Sequence, residues 1–189
     1  MKGKIFNAQE VQSIISGNKR MFREVIKNQP YHELGSGTVR CKIASNPIYC
    51  WKDSNNDLIF NFGKSPYQVG QKIFCKESFE IWDDGLVYKA DNSPANIVSK
   101  WKPAQQMKQE HSRLTLLIKE IRVERLAGIS EEDIEAEGIK AHDVSGMLHL
   151  GYIGERDAFR VVWDATHKKP EEKFEANPWV WVVNFEVVK

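Results

Sequence analysis

Cysteine is scarce in this chain and never closely paired. Cys41, Cys50 and Cys75 are an odd number at wide, irregular spacing, and no C-x-x-C occurs to nominate a zinc site. They read as reduced, mostly packing thiols. Charge of one sign is also lacking: 27 basic side chains face 26 acidic ones, a net +1, so the chain is no polycation of the kind that coats DNA non-specifically. Any nucleic-acid partner must therefore meet a local patch. No run approaches the roughly 18 apolar residues a membrane span requires, and no apolar stretch follows Met1-Lys2-Gly3-Lys4-Ile5-Phe6. A soluble, cytoplasmic protein without a membrane partner is expected. His32, His111, His142, His149 and His167 show none of the paired spacings of a metalloprotease helix or a zinc finger, so no metal is expected. G-x-G-x-x-G, the P-loop and the G-x-S-x-G elbow are all missing. The common nucleotide-cofactor and α/β-hydrolase readings have no support, and no cofactor is implied.

What is present suits one domain over residues 1–189, with room for one insertion: 189 residues, 41% of them hydrophobic, can bury one sizeable core. The charges are unevenly spread. Lys2, Lys4, Lys19, Arg20, Arg23 and Lys27 weight the N-terminal part, and Lys100 to Arg125 forms a basic middle stretch. Glu131, Glu132, Asp133, Glu135 and Glu137 make a carboxylate run that reads as a solvated helix face.

Periodicity sets the element order. Ile5-Phe6 starts a strand; Asn7 caps a helix over 8–17, with Val11, Ile14 and Ile15 at helical spacing and Gly17 as its stop. Residues 28–57 read as an irregular loop region with one strand around Thr38 to Ile43. Tyr49-Cys50-Trp51 and Leu58 to Phe62 suggest a hairpin, as do Lys72 to Trp82 and Leu86 to Ala90 across Asp83-Asp84-Gly85. Leu114 to Leu126 ends as a half-exposed strand. Ser130-Glu131-Glu132-Asp133 opens a short helix closed by Gly138, a third helix covers Glu155 to Thr166, and Trp179 to Val188 is a long strand. Many strands, three modest helices and no βαβ alternation predict an α+β domain on a curved or closed antiparallel sheet, with a helical insertion near 130–167.

Gly17 to Glu24 draws most attention as a site. Cations at a helix end are favoured by the exposed carbonyls, so a well-terminated helix explains them; a basic pocket wall explains them too. In the second reading Lys19 needs a carboxylate, and Glu77 could supply it to orient a polar substrate or shuttle a proton. A plain ion pair is the competing explanation. Tyr67, Trp82, Trp101 and Trp51 lie near basic residues in sequence, as in stacking platforms for unpaired bases, although aromatic side chains also dominate small β cores.

Several ordered segments resemble ASCH-domain proteins of the phage and prophage subgroup. They are Gly17-Asn18-Lys19, Arg23 to Pro30, Ser65-Pro66-Tyr67 through Gly70 to Phe74-Cys75-Lys76-Glu77-Ser78-Phe79, Trp101-Lys102-Pro103, and Met107 with Ser112-Arg113. Further along come Arg122 to Leu126, Ile129 to Ile134, Ala136-Glu137-Gly138-Ile139, Phe159-Arg160 with Trp163-Asp164, and Ala176 to Val183. The resemblance implies a PUA-like β-barrel of mainly antiparallel strands with about three peripheral helices, in the cytoplasm of a bacterial host cell. More distantly it implies the N4-acetylcytidine amidohydrolases, with Lys19 at their lysine and Glu77 at their glutamate. Their threonine nucleophile does not carry over, because Phe22 stands there and Arg20 replaces a preceding threonine. A phenyl ring has neither lone pair nor proton to lose, which closes the covalent route at residue 22.

The leading expectation is therefore an RNA-binding or modified-nucleoside-binding protein with a basic cleft. Lys19, Arg20, Arg23, Glu77 and Arg113 would be polar contacts, and Phe22, Tyr67 or Trp101 stacking surfaces. The alternative is an enzyme, an amidohydrolase of N4-acylated cytidine or a ribonuclease, in which Ser78 replaces the missing nucleophile or Glu77 activates water beside Lys19. A third option is a host-protein partner bound through the acidic helix.

Overall fold

Asn7 begins the first helix as its sequence suggests. Its side chain accepts the Glu10 N–H while Glu10 reaches back to the Asn7 N–H, a reciprocal capping box that starts α1 at Ala8–Ile15. Ser16 caps the other end and Gly17, at φ 78°, takes the left-handed turn that only glycine adopts freely. The computed structural model describes residues 1–27, 29, 48–52, 58–83, 85–91, 100–141, 144 and 153–188, with the backbone alone for 48–52 and 58–60. The strand expected over 38–43 lies outside the described residues.

The fold is α+β. Its main sheet has five strands: β1 (Lys2–Ile5), β2 (Met21–Val25), β5 (Lys72–Lys76), β8 (Thr115–Arg125) and β9 (Trp179–Val187), in the order β1-β5-β8-β9-β2. The β1–β5 pair is parallel and the other three pairings are antiparallel. Two hairpins stand apart: β3 (Ile48–Lys52) with β4 (Leu58–Lys64), and β6 (Phe79–Trp82) with β7 (Gly85–Tyr88). The run 72–82 is thus not one strand. It breaks at Glu77-Ser78, where the chain leaves β8 and Phe79 pairs with Tyr88 and Lys102 instead.

β1 and β2 are the two edges of the sheet, four strand spacings or about 19 Å apart were it flat. Yet Lys4 of β1 forms an ion pair with Glu24 of β2, and Phe6 packs edge-to-face on Phe22 at 6.0 Å. The sheet therefore curls until its edges meet through side chains. Inside the curl lie Phe6, Phe22, Tyr67, Leu116, Ile118, Trp181, Val183 and Phe185.

A second core covers the outer face. Helices α2 (Glu131–Ala136) and α3 (Glu155–Thr166) bring Ile134, Phe159 and Trp163 against Met21, Leu126, Val180 and Val182. Along β9, Trp179, Trp181, Val183 and Phe185 face one core, while Val180 and Val182 face the other. This two-sided burial explains the unbroken apolar run at the chain's end, and each such side chain contributes roughly 1.5–3 kcal/mol.

Candidate ligand-binding cleft

Gly17 turns the chain out of α1 so that Lys19 meets Glu137 in an isolated antiparallel bridge, and Arg20 N–H donates to the Ala136 carbonyl at 2.7 Å. Gly138, at φ 75°, allows this approach: a Cβ there would sit 2.2 Å from Ser13 Oγ and 3.0 Å from Lys19 Cβ. The result is a buried lysine with a defined partner. Lys19 Nζ donates to Glu137 Oε2 at 2.9 Å and to the Glu137 carbonyl at 3.0 Å, with Glu10 Oε1 at 3.5 Å. Burial opposes the ammonium charge, but Glu137 and Glu10 outweigh it by Coulomb attraction and hydrogen bonding, and the Lys19 pKa ends above its ordinary value.

Strand alternation sets Arg23 on the same face as Lys19. Its guanidinium donates to Glu137 Oε1 at 2.9 Å and to Asp133 Oδ2 at 2.5 Å; Asp133 also receives Arg122, which in turn pairs with Glu124. Arg23 Nε is buried and has no hydrogen-bond partner among the described residues. The carboxylate run is therefore only partly a solvated face. Glu131, Glu132 and Glu135 are exposed, but Asp133 and Glu137, four residues apart on one helical side, turn inward to hold the cations.

Above this network opens a cleft of about 900 Å³ between α1, the edge strands and α3. Among the described residues its lining is charge-balanced where a basic cleft was expected. Lys4, Lys19, Arg23 and Lys140 are matched by Glu10, Glu24, Glu137 and Glu172. Trp163 and His167 form part of its wall. Glu24 receives both Lys4 Nζ and the Tyr67 hydroxyl on a single oxygen, Oε1, the latter at 2.8 Å. Burial, with the Glu24 charge, raises the Tyr67 pKa and keeps its hydroxyl a donor.

The expected site residues separate into groups. Lys19, Arg23 and Phe22 line the cleft, but Phe22 is 3% exposed and has Lys4 Nζ 4.5 Å from its ring centroid, so a base could stack on it only by displacing Lys4. Tyr67 is likewise buried, edge-on to Phe22, and its hydroxyl is committed to Glu24. Arg20 is exposed beside a separate hollow of about 390 Å³ with Ile14, Leu114 and Phe185.

Glu77 does not meet Lys19. Both of its oxygens are taken by Arg113, Nε to Oε1 at 2.9 Å and Nη2 to Oε2 at 3.0 Å, while Arg113 also forks onto Asp91 and lies 4.1 Å from the Tyr88 ring centroid. Burial raises the Glu77 pKa against the lowering effect of Arg113. Glu77, Ser78, Trp101 and Arg113 are not among the residues lining the cleft. Ser78 sits at the β5–β6 break with its carbonyl accepting the Lys89 N–H, and Trp101 is half-buried next to Lys102. The partner of Lys19 is Glu137, a residue inside the resembling segment Ala136 to Ile139 to which no role was given. The i, i+4 spacing of Asp133 and Glu137 was the available signal.

Among the described residues no group of three or more His, Cys, Asp or Glu could hold a metal ion, and no helix is long and apolar enough to cross a membrane. No protein-family model and no curated protein matches the sequence. Among solved structures the chain is similar to the crystal structure of protein EF3133 from Enterococcus faecalis V583, described as DUF984. Identity is 9%, the match covers 100% of this chain and 81% of that one, and the TM-score is 0.46.

Proposed function

We propose that this chain is a PUA-like domain of the ASCH type that binds a nucleoside, with modified nucleosides included, in the cleft between α1, β2 and α3. The barrel-like character is supported by the curl that brings Lys4 to Glu24 across the sheet edges. The observation that carries the ligand class is the lining itself. Among the described residues, four cations and four carboxylates line one cleft of about 900 Å³, which gives that lining no net charge. A polyphosphate backbone needs an excess of cations, whereas a neutral nucleoside needs a few placed donors and acceptors beside apolar walls.

The paired centre, Lys19 and Arg23 on Glu137, sets the shape of the floor. Glu24, which among the described residues takes its hydrogen bonds from Lys4 and Tyr67 on Oε1, supplies an acceptor at the rim, and Lys4 a donor.

Isothermal titration of the full chain with the four ribonucleosides, N4-acetylcytidine and a single-stranded RNA tests this reading. At least one nucleoside binds, its affinity changes little between about 50 and 200 mM salt, and Glu24→Gln weakens it in a variant that still unfolds in one cooperative thermal transition. Binding of the RNA alone, with a steep salt dependence, would overturn the reading.

A further inference from the structure

Residues 159, 163 and 167 recur at helical spacing along one side of α3 and its C-cap, and their rings form a continuous column. Phe159 stacks on Trp163 at a 5.8 Å centroid distance and 28°; Trp163 stacks on His167 at 3.8 Å and 9°. The inner two rings are fixed in place. Both are buried, and Trp163 Nε1–H donates to the Glu172 carbonyl at 2.8 Å. His167 is held just as closely. Its Nδ1 lies 3.0 Å from the Trp163 carbonyl oxygen, which can only accept, so this contact calls for a proton on Nδ1. Its backbone N–H donates to the same carbonyl at 3.0 Å, and the Thr166 hydroxyl lies 3.0 Å from Nδ1.

A surface histidine at a helix end ordinarily has rotameric freedom. Here three contacts hold a ring that lines the cleft and is only partly exposed. Binding a planar ligand on it costs little ordering entropy, since the platform is ordered before the ligand arrives.

We infer that His167 is the stacking platform of the cleft: Trp163 covers one face of the imidazole, and the nucleobase of the ligand extends the Phe159–Trp163–His167 column on the other. This rests on the nucleoside reading above and deepens it, because it gives the base a place that neither Phe22 nor Tyr67 provides. Both of those rings are packed inside the curled sheet, and Lys4 already lies over Phe22.

The test is titration of wild type, His167→Ala and His167→Phe with adenosine and cytidine, beside thermal melts and an NMR spectrum of the His167 Cε1–H. Aromatic–base stacking predicts that His167→Ala loses about tenfold or more in affinity while His167→Phe stays within about threefold of wild type. The Cε1–H resonance shifts upfield on adding adenosine, through the ring current of the stacked purine. Wild-type binding that His167→Ala leaves unchanged overturns the platform and spares the cleft reading. Equal loss in both variants with unchanged melting also overturns stacking, since only the imidazole nitrogen would then matter. A wild type that binds no nucleoside overturns both readings.

Discussion

Lys19 Nζ lies 2.9 Å from Glu137 Oε2, a carboxylate 118 residues away, and 3.0 Å from the carbonyl of the same residue. Glu137 also holds Arg23, so one acidic side chain bridges two buried cations and ties the turn after α1 to the end of α2. Such an arrangement costs desolvation on all three groups, and its net worth depends on every partner being present.

Removing the shared partner should therefore be severe. Glu137→Ala removes the carboxylate that Lys19 and Arg23 share, leaving Glu10 near the one and Asp133 on the other, and is expected to lower stability by about 3–5 kcal/mol, whereas Glu131→Ala, exposed on the same short helix, should stay within about 0.5 kcal/mol. Urea titrations of both variants compare the midpoints directly. Equal small effects would show that the network carries no weight in the fold.

The close approach at Gly138 gives an independent check. Gly138→Ala forces a side chain into a left-handed residue and against Ser13 Oγ, with an expected loss of about 2–4 kcal/mol. Adding Ser13→Ala should recover only part of it, because Ser13 Cβ, at 3.2 Å, and Lys19 Cβ remain crowded. A double-mutant cycle on thermal or urea unfolding reads the coupling.

Alkaline pH should expose the lysine. The folded pKa of Lys19 is raised above 10.5, its ordinary value, so its contribution is fully present below about 10.5 and is lost as pH rises through the higher folded value. The stability difference between wild type and Lys19→Met is then constant from neutral pH to about 10.5 and shrinks above it. A difference that grew with pH would reverse the sign and exclude a charged, paired Lys19.

Glu77 and the cleft should be separable. Glu77→Gln weakens the Arg113 pair and is expected to cost about 1–3 kcal/mol of stability. Affinity for any nucleoside that wild type binds should stay within about twofold, since Glu77 does not line the cleft and independent sites behave additively. Loss of binding without loss of stability would put Glu77 back beside Lys19.

Much of the local structure was legible because it depends on near neighbours. Asn7 and Glu10 sit three apart, Ser130 and Asp133 likewise, and Gly17 and Gly138 stop their helices at the left-handed positions that the apolar periodicity leaves for them. The helix over Glu155 to Thr166 and the last strand follow from the same spacing. The run from Lys72 to Trp82 misled because alternation continues through Glu77-Ser78 while the pairing partner changes, and nothing local records which strand lies alongside.

The site was legible only in half of its members. Lys19 and Arg23 stood out as cations at a turn, but their partners lie more than a hundred residues away, within a run whose composition fits solvent equally well. Glu77 had the right chemistry for Lys19 and a better-placed claimant in Arg113, whose planar fork takes both carboxylate oxygens. His167 carried no motif at all; the role proposed for it depends on Trp163 lying flat beneath it.

The sequence by itself determined the α+β class, where the helices start and the closing of a covalent route at Phe22. These depend on periodicity, capping and functional groups, which act over a few residues or reside in one side chain. Tertiary structure alone decided that the sheet curls until Lys4 meets Glu24, that Glu137 rather than Glu77 answers Lys19, and that the cleft is charge-balanced. Charge pairing in a folded chain is set by which surfaces are desolvated together, and that depends on the packing of distant elements.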